Sequence, residues 1–384
     1  MNKTQVVEYA NIGTDFPAKE PAIIVSFPNY EDRTKGIINT LYKHTNPAPS
    51  GCVEHILFCL KNRVNNNPLL EELKERNIDS IKSVLENANV HEYWLEYPSN
   101  FSPNALKAPI KTLLETMLSE HKDKANILFD ISTTPKSILF HLCESIKEFL
   151  QLGLVGRIFF AYCLPENYSR VPYAQDIGLI KGLFSGEALQ IPSDKDIHVI
   201  VIPSRSGHEG KLLCDTIDSA SKKASYSVYF PIYIKNYIDS LNVLQANQSL
   251  VDRESYFNYF YCTLDDAIKT IDELFQKEYA RIKHIIDMKR ESPEDENAPA
   301  LVPQVYLVAP FGSKVILPVA YFELLRLRSI DPDLISIEIA NVKGFQYTST
   351  YSLGGDGGED GKKNIDITCF ELNGGFLAND KDSN

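Results

Sequence analysis

A segment of one layout occurs twice in this chain. Residues 128–142 read LFDISTTPKSILFHL, and residues 306–325 read YLVAPFGSKVILPVAYFELL. Each is a short apolar strand, a small polar turn ending in lysine, and an apolar helix. The first turn is Asp130-Ile131-Ser132-Thr133-Thr134-Pro135-Lys136, and the second is Ala309-Pro310-Phe311-Gly312-Ser313-Lys314. A strand that hands over to a helix through such a turn aims the helix's first N–H groups, and the positive end of its dipole, at the turn. A lysine placed there suits an anion, most often a phosphate.

The rest of the chain repeats the alternation of strand and helix. Apolar runs at 22–27, 55–60, 91–97, 126–130 and 157–162 read as strands, with helices at 33–44, 69–87, 104–121 and 135–151 between them. The pattern restarts with strands at 198–203, 227–233, 256–263, 304–309 and 336–341 and helices at 210–223, 264–288 and 315–328. Alternation of this kind predicts an α/β fold of two Rossmann-like doubly wound halves, each a mostly parallel sheet flanked by helices. The polar run SGEALQIPSDKD at 185–196 places the division between domains 1–190 and 191–384. Residues 365–372 alternate and read as a closing antiparallel edge strand, and the glycine-rich 354–363 reads as a loop. The order of elements repeats without close sequence identity, which points to an internal duplication.

Composition narrows the function classes. The 384 residues are 43% hydrophobic and 23% charged, ordinary for a globular protein with real cores. A net charge of −12 argues against a dedicated nucleic-acid binder. No apolar run reaches membrane length, and residues 1–16 lack the apolar stretch of a signal peptide. Cytoplasmic placement is expected. The seven cysteines are scattered, form no CxxC and show no zinc spacing, so they read as small buried hydrophobes and no metal or cofactor is expected.

Candidate ligand-binding residues follow from the turns. Lys136 and Lys314 would close on phosphates. Ser132, Thr133 and Thr134 offer hydroxyls, though one of them would serve as a helix cap. Gly312 and Ser313 complete the second turn. Ligands of open α/β sheets bind outside the strand C-termini, so the loops after the first strands also count. In the second half that loop holds Arg205, Ser206, Gly207, His208 and Glu209. Neither loop matches G-x-G-x-x-G or the P-loop pattern. Asp130, His208 and Glu209 are the candidate catalytic groups, with Asp130 or Glu209 as base and His208 as acid. Asp130 reads equally as a turn cap, and His208-Glu209 as surface loop. The tyrosines at 226, 229, 233, 237, 256, 259 and 261 could stack bases or pack the sheet. Glu31, Asp32, Arg33, Glu92 and Glu96 show no recognisable spacing.

At the two strand–turn–lysine–helix segments the chain resembles CRISPR-associated Rossmann-fold (CARF) sensor domains and the related SAVED domains. In that family the fourth strand leads into a TGGTK-like turn that touches a cyclic oligonucleotide. Ser132-Thr133-Thr134-Pro135-Lys136 and Phe311-Gly312-Ser313-Lys314 stand at the corresponding place. The resemblance implies two fused CARF-like units in prokaryotic antiviral defence, sensing a nucleotide or cyclic oligonucleotide. It implies a protein partner or effector supplied by another chain, leaves homo-oligomerisation open, and involves no membrane. Two other readings stand beside it: a nucleotide- or nucleoside-processing enzyme (a hydrolase or a glycosyl transfer), and a partner-binding structural subunit.

Overall fold

The computed structural model describes residues 7–10, 12, 15–16, 22–44, 53–62, 68–97, 104–121, 124–164, 167–168, 180–204, 207–232, 237–251, 257–291, 303–312, 314–342, 352–353 and 367–372. The chain divides into two compact units, Met1–Val171 with Thr350–Asn384, and Pro172–Ser349.

The first unit runs β1 Val7–Tyr9, β2 Ala22–Ser26, α1 Gly36–Asn39, β3 Val53–Asn62, α2 Pro68–Val84, β4 Asn89–Tyr97, α3 Asn104–Glu120, β5 Ala125–Asp130, α4 Lys136–Leu152, β6 Val155–Cys163 and β7 Asn167–Tyr168. A 3-10 turn at Asp32–Lys35 enters α1, and a π turn at Thr40–His44 leaves it. The second unit runs β8 Ile180–Gly182, β9 Asp196–Ile202, α5 His208–Ala220, β10 Ala224–Pro231, α6 Tyr237–Ala246, α7 Gln248–Val251, β11 Phe257–Cys262, α8 Leu264–Glu291, β12 Gln304–Pro310, α9 Ile316–Arg328 and β13 Ile335–Val342. The chain then returns to the first unit for β14 Ser352–Leu353 and β15 Ile367–Leu372.

Two mostly parallel sheets form the scaffold. The first has seven strands in the order β1-β15-β6-β5-β2-β3-β4, and the second has six in the order β11-β10-β9-β12-β13-β8. In the first, β6, β5, β2, β3 and β4 are mutually parallel. In the second, β11, β10, β9, β12 and β13 are. Taken in chain order, each set of five parallel strands is arranged third, second, first, fourth, fifth. The two halves therefore share one topology, although their sequences do not align. Strands β2, β5 and β12 are buried at every residue, as strands covered by helices on both faces must be.

The helices lie where right-handed crossovers put them. In the first unit, Ile37 and Leu41 pack with Ile24, Leu128 and Phe159 on one face. Ile78 and Ile81 of α2 meet Leu57 and Cys59 on that same face. In the second unit, Leu213, Cys214 and Ile217 of α5 and Val243 of α6 pack on Val199, Val201, Val228 and Leu307. The described cysteines Cys59, Cys143, Cys163, Cys214 and Cys369 are buried thiols, as expected of small hydrophobes. Burial pushes the Cys59 and Cys369 thiols up to about 12.

The closing strand departs from the sequence reading. A division at 190/191 assigns β8 to the first half and β15 to the second. Instead β8 pairs antiparallel with β13 of the second sheet. Strand β15 pairs antiparallel with β6 of the first, from Ile367↔Cys163 to Leu372↔Ile158. It is not an edge strand either, because β1 pairs with its other side. The exposed backbone row of β6 supplies the reason, reinforced by the Phe160–Phe370 ring stack at 5.3 Å and the Arg157 fork on Glu371 at 2.8 and 2.5 Å. Helix α6 was not foreseen. Its apolar residues fall on no single stripe: Val243 is buried, whereas Ile238 and Leu241 are exposed.

Candidate functional site at the strand C-termini

In each sheet the first and fourth parallel strands are neighbours, and the chain leaves them in opposite directions. That is the topological switch point, where open α/β sheets bind ligands. In the first unit it lies between β2 and β5, and in the second between β9 and β12. Both strand–turn–lysine–helix segments end there. Lys136 is half-buried and opens α4, and half-buried Lys314 stands in the turn before α9. Neither helix has a side-chain cap bond at its N-cap, Pro135 or Val315, and neither has an acidic residue in its first turn. Neither N-cap residue carries a polar side chain that could satisfy the first N–H groups of its helix.

The first switch point is built from buried polar groups. Asp130 Oδ1 accepts the Ser132 N–H at 3.0 Å, and Thr134 Oγ1 donates to the Asp130 carbonyl at 3.1 Å. Ser132 Oγ accepts the Cys163 N–H at 2.9 Å. Thr133 Oγ1 donates to the Phe27 carbonyl at 2.7 Å and meets Thr34 Oγ1 at 3.2 Å. The three hydroxyls thus shape the turn and tie it to the loop after β2. Asp130 serves as the turn cap and is 4% exposed.

Arg33, which no sequence pattern singles out, belongs to this site. It is buried, with its Nε on Glu31 Oε2 at 2.7 Å and its Nη1 on the Tyr162 hydroxyl of β6 at 2.8 Å. Its guanidinium also stands 5.3 Å from the Tyr162 ring centroid. Only the fold reveals this, because Arg33 and Tyr162 are 129 residues apart. No spacing rule reaches that far.

The second switch point is bridged by backbone. The Gly312 N–H donates to the Ile202 carbonyl at 2.9 Å, and a Cβ at Gly312 would collide with the Pro203 carbonyl oxygen. The glycine is needed for this contact between neighbouring loops. Gly207 caps α5 in the left-handed region, φ 71°, where an added Cβ would collide with the Ala246 carbonyl. Ser204 Oγ donates to Glu209 Oε2 at 2.6 Å. His208 is exposed, and no hydrogen bond joins it to Glu209 among the described residues. Arg205, Ser206 and Ser313 lie outside the described residues.

Each first-strand loop is also held from behind by an asparagine that the sequence did not flag. Asn77 of α2 donates its Nδ2 to the Asn29 carbonyl at 2.9 Å and the Glu31 carbonyl at 3.3 Å. Asn247, between α6 and α7, donates its Nδ2 to the Ser204 carbonyl at 2.6 Å.

Elsewhere Tyr226 and Tyr229 pack within the second sheet, and Tyr233 and Tyr256 lie outside the described residues. Tyr229 stacks on Phe260 at 4.6 Å, and the buried Tyr226 donates its hydroxyl to Asp218 at 2.6 Å. A depression of about 480 Å³ beside α3, lined by Thr112, Glu115, Thr116, Ser119, Glu120 and Leu154, lies away from the strand C-termini. So does a cavity of about 70 Å³ lined by His198, Ser225, Glu278 and Tyr306 among others. Among the described residues no group of three or more His, Cys, Asp or Glu is placed to hold a metal ion. No described helix is long and apolar enough to cross a membrane.

No family model matches the chain, and no curated protein matches it. Among solved structures it is similar to the cytoplasmic domain of a prokaryotic cation chloride cotransporter, with 11% identity over 84% of this chain and 95% of that one and a TM-score of 0.24. It is also similar to UDP-GlcNAc 2-epimerase from Neisseria meningitidis bound to UDP-GlcNAc, with 10% identity over 63% and 72% and a TM-score of 0.21. Likenesses of this size carry no argument about function.

Proposed function

We propose that the chain is a sensor for a nucleotide-type ligand, with phosphates read at the two switch points by Lys136 and Lys314 at the N-termini of α4 and α9. One observation carries the reading. Two sheets of the same topology each bring a strand–turn–lysine–helix segment to the switch point, and both helices start without a cap bond or an acidic residue. The resemblance to CARF and SAVED domains supplies the setting: prokaryotic antiviral defence, with the effector on another chain. The hydroxyls of Ser132, Thr133 and Thr134 enter as builders of the turn, and the phosphate contacts fall to backbone N–H groups and the lysines.

Binding is favoured over turnover by the placement of the candidate catalytic groups. Asp130 is occupied in the turn, and His208 stands apart from the Glu209 carboxylate that Ser204 engages. The test is mass spectrometry of small molecules released by heat from the purified protein, after incubation with ATP, NAD and cyclic dinucleotides. Recovery of an intact nucleotide supports a sensor. Recovery of a cleaved one, lost in Asp130→Ala, overturns it in favour of an enzyme. Release of nothing favours a subunit that docks a partner.

A further inference from the structure

An asparagine buried within helical structure is costly unless it is used, since its amide competes with the helix and must be desolvated. Two of the buried asparagines do the same thing. Asn77 lies in the helix that follows the second parallel strand of the first sheet, and Asn247 in the turn between the two helices that follow the second parallel strand of the second. They are 1% and 0% exposed. Each sends Nδ2 to a backbone carbonyl of the loop that leaves the first strand, Asn29 and Glu31 in one case and Ser204 in the other, and the Asn247 Nδ2 also donates to the Val243 carbonyl at 2.8 Å. In each the Oδ1 is buried and meets no donor among the described residues. Core packing alone explains neither residue, because an apolar side chain would fill the space without stranding an acceptor.

We infer that Asn77 and Asn247 are equivalent positioning residues, and that the chain carries two ligand sites of like build, one in each unit. The inference rests on the phosphate-reading role proposed above and adds its stoichiometry. Both oxygens are sealed from solvent, so the asparagines act through the loops they hold and do not touch the ligand. The rest of each site is built to match. From the β5–α4 turn Thr133 bonds Phe27, the first residue of the first loop, and from the β12–α9 turn Gly312 bonds Ile202, the last residue of β9 before the second loop. Each loop is thereby held on two sides, by the asparagine behind it and by the lysine-bearing turn beside it.

The experiment is calorimetric titration of the full chain with ATP, NAD and a cyclic dinucleotide. It is run on the wild type, Asn77→Leu, Asn247→Leu and the double variant. The expected result is two equivalents per chain for the probe that binds, one for each single variant and none for the double. Hydrogen exchange supplies the readout that separates positioning from folding. In Asn77→Leu the amides of Asn29, Tyr30 and Thr34 exchange at least tenfold faster, while those of Ile23–Val25 in β2 keep their protection. If a leucine variant fails to fold, Asn77→Ser and Asn247→Ser carry the same test. A stoichiometry of two that survives both substitutions, or of one in the wild type, overturns this inference and leaves the proposed function standing. No binding by any probe overturns both.

Discussion

At the scale of single residues, the structure separates groups that build the site from groups left to serve it. Thr133 is a builder, since its hydroxyl satisfies the Phe27 carbonyl and meets Thr34. Thr133→Val strands that buried acceptor and costs about 1–3 kcal/mol of unfolding free energy in urea titrations. Lys136→Ala, at a helix end whose dipole disfavours a cation, costs far less by the same measurement. Gly207 makes the strictest demand. At φ 71°, Gly207→Ala adds a collision of its Cβ with the Ala246 carbonyl to the roughly 1 kcal/mol cost of a left-handed residue. A drop of several degrees in Tm checks it. His55 gives a pH signature on the acid side. It is fully buried, its Nε2 shares a 2.5 Å hydrogen bond with the Tyr42 hydroxyl, and burial lowers its pKa from 6.5 to about 4. The unfolded chain takes up a proton first, so stability is held above pH 6.5 and lost as pH falls toward 4. The loss is on the order of 3 kcal/mol. Equilibrium unfolding between those values should slope downward with acid, and the slope should diminish in His55→Gln.

At the scale of elements, the packing of α8 on α9 contains a buried acid cluster that sequence periodicity hides. Glu323 is 0% exposed and accepts Arg326 Nη2 at 2.6 Å, and its carboxyl interacts with that of Asp272, which is 1% exposed. Asp272 also accepts Gln276 Nε2 at 2.7 Å. One arginine beside two touching carboxyls leaves the pair short of a charge, unless one carboxyl keeps its proton. Burial, then the bond to Asp272, raises the Glu323 pKa well above the usual carboxylate range. The stability it contributes is whole below that ordinary range and is lost as pH rises through the raised value. The slope approaches one proton, about 1.4 kcal/mol per pH unit. Glu323→Gln, which keeps a donor facing Asp272, should flatten that slope. Periodicity recovered the parallel strands and long helices because their buried faces are almost wholly apolar, and it left out the short strands β1, β7, β8 and β14. It missed α6, whose Ile238 and Leu241 face solvent, and it passed over Arg33, Asn77 and Asn247. A polar residue in a turn or helix has no local mark that says it will be buried against a loop far away in sequence.

At the scale of the whole chain, the alternation of strands and helices was enough to give two doubly wound halves, and the paired lysine turns were visible before any coordinates. Strand order and the return of β15 were not, because pairing partners are chosen by exposed backbone edges and apolar faces that exist only once the sheet has formed. The consequence is testable. Truncation after residue 349 removes β15 and with it the buried Cys369, Phe370 and Leu372. Burial of those side chains is worth on the order of 5 kcal/mol, so the first unit should lose its cooperative unfolding transition. Hydrogen exchange should then show protection lost from β5 and β6 and kept in β9 and β12.

The central claim is that both lysine turns read a ligand. Thermal shift of the wild type against Lys136→Ala and Lys314→Ala, with the nucleotide recovered by heat release, tests it most directly. A ligand at a hundredfold excess over its Kd stabilises by about 2.7 kcal/mol. This shift is expected in the wild type and is expected to be reduced in Lys136→Ala and in Lys314→Ala, with unliganded stability nearly unchanged. A shift of full size in both variants would contradict it.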